Sequence, residues 1–276
     1  MTFTVDPKFV DIDLEKEAVK HGFLAGYSPE GNFSSFQSGK FANYEDEFEI
    51  QSESERTKAI EILDQKGGVE NLVRWVLNQK QEGSCVGNAW TQAVQVVSAK
   101  QFGEANIVPM SAISGYKQIG FSPGSGASVD DALRCGTEVG LLPLDTPENR
   151  KIFGDKVMPA TGFYTPWPND WKSLAKDFRI VKSLIIRSIP ALEQAGINGH
   201  PVVVGRAGHS ICYLRPSLKQ GRGELYVNSW NGWGFGAGGH DSGFGYDTSR
   251  MVSASANWAF AIVAVNTPSY LLKKLN

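Results

Sequence analysis

The chain has 276 residues, of which 41% are hydrophobic and 20% charged, and its formal net charge at neutral pH is -2. That length allows one large domain or two modest ones with a sizeable core, and the near balance of charge argues against a nucleic-acid partner, which would call for a basic stripe. No apolar run reaches the roughly 18 residues of a membrane span, and three cysteines are too few and too oddly numbered for a disulfide framework or a metal site.

The opening, MTFTVDPKFVDIDLEKE, lacks the basic and apolar regions of a signal peptide. With the sparse cysteines, this sets the expectation of a cytoplasmic or otherwise reducing compartment. Residues 1–66 show little long-range periodicity, and residues 45–56 (EDEFEIQSESER) read as an acidic, solvated stretch. Within them, Ser54 to Gln65 fits a helix stopped at Gly67-Gly68. This region reads as an N-terminal arm or small subdomain. From 67 to 276 the chain reads as a single larger unit. A helix from Gly83 to about Phe102 carries apolar residues at Val86, Ala89, Trp90, Ala93, Val94 and Val97, and Gly103 ends it. Two shorter helices follow near Ser111 to Gln118 and Ser128 to Glu138, each opened by a serine able to cap it. Between them runs the glycine-rich loop Phe121 to Ala127.

After about residue 165 the character changes. The stretch holding Pro143, Pro147, Pro159, Pro166 and Pro168 reads as irregular. A helix fits Ser188 to Ala195, with Pro190 tolerated in its first turn. Apolar strand-like runs then cover Pro201 to Gly205, Ser210 to Leu214, Glu224 to Asn228 and Trp258 to Val265, separated by glycine-rich turns. A helical half (67–165) followed by an antiparallel sheet half (166–276) predicts an α+β fold of two lobes, and the groove between lobes is a natural site.

Chemistry concentrates in three places. Cys85 follows a Gly-Ser turn at the start of the long helix, where unpaired amides and the positive dipole end favour a thiolate. His209 enters a strand behind Gly208. Asn228 ends the next strand as Asn228-Ser229-Trp230, and pairing of the two strands through the turn at Gly221 to Gly223 brings His209 and Asn228 to one end of the sheet. A cysteine nucleophile needs an imidazole within roughly 3 Å and a third group to orient that imidazole; these residues supply all three. Cys212, inside an apolar strand, reads as core, as does Cys135. His21, His200 and His240 lack the context of His209 and read as surface or packing residues.

Asn78-Gln79, Gly83-Ser84-Cys85, Gly208-His209 and Asn228-Ser229-Trp230 with Trp233-Gly234 occur in the order found in the papain-like cysteine peptidases, and His209 and Asn228 follow Cys85 at separations near those of the family. The chain resembles that family over about residues 70–265. The resemblance implies a papain-like two-lobed fold, with a helical left lobe and a barrel-like antiparallel right lobe. It makes Cys85 the nucleophile, as a thiolate paired with protonated His209, the general acid/base, and Asn228 the orienter of the ring. Gln79, rather than its neighbour Gln81, joins the Cys85 backbone N–H in an oxyanion hole. Trp230 shields the Asn–His bond, and Gly124, Ser125 and Gly126 form a glycine-rich segment that binds substrate backbone. The implied reaction is hydrolysis of a peptide or protein substrate with no metal or organic cofactor. The same constellation also serves acyltransferases and amidases acting on side-chain or isopeptide amides, and a binding module that has lost turnover would keep the fold.

Two departures stand out. Glu82 and Val86 occupy positions where many relatives carry a disulfide cysteine and an aromatic residue. The run Pro201 to His209 leaves only a tight turn where relatives carry a long loop, which predicts an open side to the cleft. Residues 1–66 take the place of a prosegment but show no recognisable inhibitory pattern.

Overall fold

The computed structural model describes residues 3–22, 41–206, 208–230, 232–255 and 259–275. The N-terminal arm contributes α1 (Leu14–Lys20), α2 (Tyr44–Glu47) and α3 (Glu53–Lys66). The helical half follows with α4 (Cys85–Phe102), α5 (Ala112–Ile119), α6 (Val129–Glu138) and α7 (Pro147–Phe153). The second half runs α8 (Trp171–Ala175), β1 (Ile180–Ile185), α9 (Ile189–Ile197), β2 (Val202–Arg206), β3 (His209–Ser217), β4 (Gly223–Val227), β5 (Phe244–Thr248), α10 (Ser249–Ser255), β6 (Ala259–Val265) and α11 (Ser269–Leu275).

The caps explain where the predicted helices begin. Ser52, Ser111, Ser128 and Ser188 each accept a hydrogen bond from an amide in the first turn of α3, α5, α6 and α9, and Ser52 does so in a capping box with Glu55. The prolines of 143–168 hid α7, which starts conventionally from Thr146 with Pro147 in its first turn. The helix carrying Cys85 is not amphipathic as its spacing suggested. Nearly every residue from Cys85 to Val97 is buried, polar Asn88, Thr91, Gln92 and Gln95 included, because α4 lies between α5 and α6 on one side and β2, β3 and β6 on the other.

All pairings in the six-stranded sheet are antiparallel, in the order β1-β6-β2-β3-β4-β5. The sheet is open, with β1 and β5 as its edges, so the expected barrel-like closure is absent. Both faces are buried. Val203, Cys212 and Leu214 join α4 in one apolar cluster, while Val202, Val204, Ile211 and Tyr213 join α9 in the other. Two buried faces account for strands that read as continuous apolar runs. Trp258, placed by the sequence in the last strand, lies outside the described residues.

The described part of the N-terminal arm is strung along the sheet half. Phe3 stacks on Phe235 at 5.9 Å, Val10 bridges Tyr246, and the Asp11 carboxylate accepts from the amide and hydroxyl of Thr248. Farther on, the Ile185 amide donates to the Ala42 carbonyl, and α3 is held by charge: Arg56 and Arg222 both bind Glu193. Among the described residues no helix is long and apolar enough to cross a membrane, and Cys85, Cys135 and Cys212 form no disulfide.

Candidate active site

The residues before α4 form a tight loop, with Lys80 at φ 50° and the Glu82 amide donating to the Gln79 carbonyl. Ser84 sits at the helix N-cap, but its hydroxyl makes no capping bond and instead accepts from Asn88 Nδ2 at 3.1 Å. The first-turn amides around Cys85 are therefore not quenched by a side-chain cap, the setting in which a helix dipole favours an anion. Gln79 is fully buried. Its amide donates to the Ser229 carbonyl, its Oε1 accepts from Ser229 Oγ at 2.7 Å, and its Nε2 donates to the Glu82 carbonyl at 2.9 Å. Gln81, the rival for the same role, is exposed.

On the sheet side, Asn228 Oδ1 lies 2.8 Å from His209 Nε2 and accepts the Ser229 amide at 2.7 Å. Only an oxygen accepts an amide proton, so the Ser229 bond fixes which end of the Asn228 carboxamide faces the ring. His209 Nε2 must then carry its hydrogen, and in the neutral ring the lone pair sits on Nδ1. That Nδ1 is buried and has no hydrogen-bond partner. Trp230, fully buried, covers the same ring with its centroid 4.5 Å away, so its contact is with the imidazole. Burial, with a smaller push from the nearby Arg206 guanidinium, holds His209 down to about 4 against the opposing Asn228 bond. Burial therefore disfavours a charge on the ring. Arg206 is itself paired with buried Asp247 at 2.7 Å.

Cys85 and His209 are both fully buried. α4 packs along β3. Asn88 and Ala89, one turn beyond Cys85, line a small cavity with Ser210, Asn228 and Ser229. The second turn of the helix therefore shares this cavity with the strand residues next to His209 and Asn228. No hydrogen bond reaches His209 Nδ1, so the thiol and the ring are not joined through that nitrogen in this structure.

The fold is similar to that of solved cysteine proteases. Xylellain, from Xylella fastidiosa, matches with a TM-score of 0.60 at 17% identity, over 90% of this chain and 97% of that one. Digestive procathepsin L2 proteinase from the Tenebrio molitor larval midgut matches with a TM-score of 0.55 at 14% identity, over 96% of this chain and 84% of that one. Procathepsin L 3 from the same tissue matches with a TM-score of 0.51 at 16% identity, over 70% and 67%. The fold is papain-like. No protein-family model and no curated protein sequence matches the chain.

Within this papain-like frame, the glycine-rich loop comes up against the loop before the thiol. The Gly83 amide donates to the Pro123 carbonyl, and a Cβ at Gly83 would sit 3.3 Å from the Gly126 amide nitrogen, so only glycine allows the approach without displacement. Gly124 and Ser125 are exposed and Gly126 is buried. Ser125 Oγ accepts the Phe121 amide at 2.9 Å and thereby holds its own turn. The β2–β3 connection is the short turn read from the sequence: Arg206 pairs with His209, and Gly208 adopts φ +70°. The side is not left bare, since α1 sits on it with Glu15 Cγ 3.1 Å from where a Gly208 Cβ would stand. Nothing in the local pattern of the sequence announced that contact, which joins the N-terminal arm to the far half of the chain.

The remaining thiols and imidazoles are spent elsewhere. Burial pushes the Cys135 thiol up to about 11 and the Cys212 thiol higher still. His200 Nδ1 pairs with the Tyr44 hydroxyl at 2.8 Å, and burial, with Lys100 and Lys182 nearby, holds it down to about 4. His240 bonds the Val73 carbonyl, and His21 bonds Glu17.

Proposed function

We propose that this chain hydrolyses amide bonds of peptide or protein substrates through Cys85, with His209 as proton carrier. The observation that carries the reading is the fixed tautomer of His209: Asn228 and Ser229 lock the hydrogen on Nε2 and leave the lone pair on a buried Nδ1 with no hydrogen-bond partner. In this reading the Cys85 thiol gives its proton to Nδ1 as the sulfur attacks the carbonyl carbon. The carbonyl electrons move to an oxyanion stabilised by the Gln79 carboxamide and the Cys85 amide. Collapse of the tetrahedral centre expels the amine, which takes the proton from Nδ1. Water, giving its proton to the same nitrogen, then cleaves the thioester and regenerates the thiol. Asn228 keeps the ring in one orientation through both transfers, as a third group does in other triads.

The test pairs labelling with turnover. Iodoacetamide at pH 6 is expected to alkylate Cys85 well ahead of Cys135 and Cys212, whose burial keeps them protonated, and to stop cleavage of a peptide library read by mass spectrometry. Cys85→Ala is expected to retain the fold and lose all cleavage. Equal, slow labelling of the three thiols, or cleavage by Cys85→Ala, removes the proposal. Ammonia release or cross-linking without backbone cleavage would move the activity to side-chain amides.

A further inference from the structure

We infer that Glu82 is a positioning residue for the Gln79 carboxamide, acting as an ionic fork in the loop that precedes the thiol. This deepens the reading above and rests on Gln79 as an oxyanion donor. The Gln79 amide plane is held at two points, Ser229 Oγ on its oxygen and the Glu82 carbonyl on its nitrogen. The first point lies two residues beyond the end of β4, on the buried Ser229. The second is a loop carbonyl, and its position depends on what fixes the Glu82 peptide. The Glu82 amide donates back to the Gln79 carbonyl at 3.2 Å, closing a small ring between the two residues. The Glu82 side chain reaches out of that ring: Oε1 accepts the Gly162 amide at 2.9 Å and the Phe163 amide at 3.0 Å.

A carboxylate taking two backbone amides is a strong, directional pair of bonds. The other carboxylate oxygen, Oε2, is buried with no hydrogen-bond partner, which is a costly arrangement for a group whose only task is to close a surface loop. The tie continues past Phe163. Its ring packs edge-on against Tyr116 at 5.4 Å, and the Tyr116 hydroxyl donates to the Ser122 carbonyl of the glycine-rich loop at 2.7 Å. One carboxylate thus joins the proposed oxyanion donor to the proposed substrate-backbone loop, without a covalent bond.

A displacement of about 1 Å in a donor costs on the order of a hundredfold in rate, so losing the fork is expected to lower kcat far more than KM. Four variants test this: Glu82→Ala, Glu82→Gln, Gln79→Ala and the double Glu82→Ala/Gln79→Ala. Glu82→Ala is expected to reduce kcat for a cleaved peptide by about ten- to a hundredfold, while the iodoacetamide rate at Cys85, which needs no oxyanion hole, stays within about twofold. Glu82→Gln keeps an oxygen for both amides and is expected to restore most of kcat. The double variant is expected to be no slower than Gln79→Ala, since Glu82 acts through Gln79. Multiplying losses in the double variant, equal failure of Glu82→Gln, or a matching fall in alkylation would overturn the inference. A readout independent of turnover is the Gln79 side-chain amide pair in a 15N–1H spectrum, assigned by its disappearance in Gln79→Ala. It is expected to move to a solvent-like position in Glu82→Ala and to stay in place in Glu82→Gln; an unmoved pair in Glu82→Ala defeats the inference even if no peptide is cleaved. Should Glu82→Ala fail to fold, Glu82→Asp, one methylene too short to hold both amides, carries the same expectations.

Discussion

At the scale of single residues, Asn228 and Gln79 are tied together through one residue, Ser229. Ser229 supplies its amide to Asn228, its carbonyl to the Gln79 amide and its hydroxyl to the Gln79 carboxamide. A buried donor set aimed at a developing oxyanion is worth about ten- to a thousandfold when one member is removed. Gln79→Ala is accordingly expected to cut kcat by that factor, and Gln81→Ala, at an exposed position, to leave it unchanged; steady-state rates on one cleaved peptide decide between them. The His209–Asn228 bond and the buried place of Gln79 were legible because the residues around them have a plain local meaning: a glycine before a strand, a strand end, a Gly-Ser turn at a fixed spacing. The parts played by Ser229 and Glu82 were not legible, because they depend on where main-chain atoms of distant segments end up. The downward push on the His209 ring was not legible either, since it follows from burial and the approach of Arg206.

At the scale of elements, the caps made α3, α5, α6 and α9 readable to within a residue or two, because serine and glycine act locally at helix ends. Among the elements that escaped, with α1, α2, α8, α10 and α11 also unread, three show the opposite reason. α7 is masked by its prolines, β5 by the glycines around Phe244 and Gly245, and β1 by a lysine and a serine that break its apolar run. What holds α3 was equally hidden, being a set of ion pairs between partners far apart in sequence. Glu193 lies almost fully buried on α9 and binds Arg56 and Arg222. Removing one partner of a buried charge set leaves the other uncompensated, at a cost of about 3–5 kcal/mol. Glu193→Ala is therefore expected to lower unfolding stability by about 3 kcal/mol, seen as a smaller urea midpoint, while Glu53→Ala, on a carboxylate 81% exposed, is expected to change little.

At the scale of the whole molecule, the N-terminal arm is part of the packed body: Phe3, Leu14, Ala18 and Tyr44 sit in the same apolar clusters as the sheet. Two buried imidazoles give this body a pH dependence. His200 and His209 are both held down to about 4, against about 6.5 in the unfolded chain. Above about pH 6.5 neither state takes up these protons and their contribution to stability is complete. As pH falls from there toward 4 the unfolded chain binds protons that the folded one refuses, and stability is lost across that window. Urea midpoints measured between pH 7 and pH 4.5 are expected to fall, and His200→Gln is expected to have a shallower slope over the same range.

The complete burial of Cys85 and His209 carries one more consequence, for kinetics. A reagent cannot strike a sulfur that no solvent touches, so every encounter must wait for a fluctuation that uncovers it. The observed alkylation rate constant at Cys85 should then rise with iodoacetamide at first and level off at high concentration, and the plateau would time how often this molecule breathes.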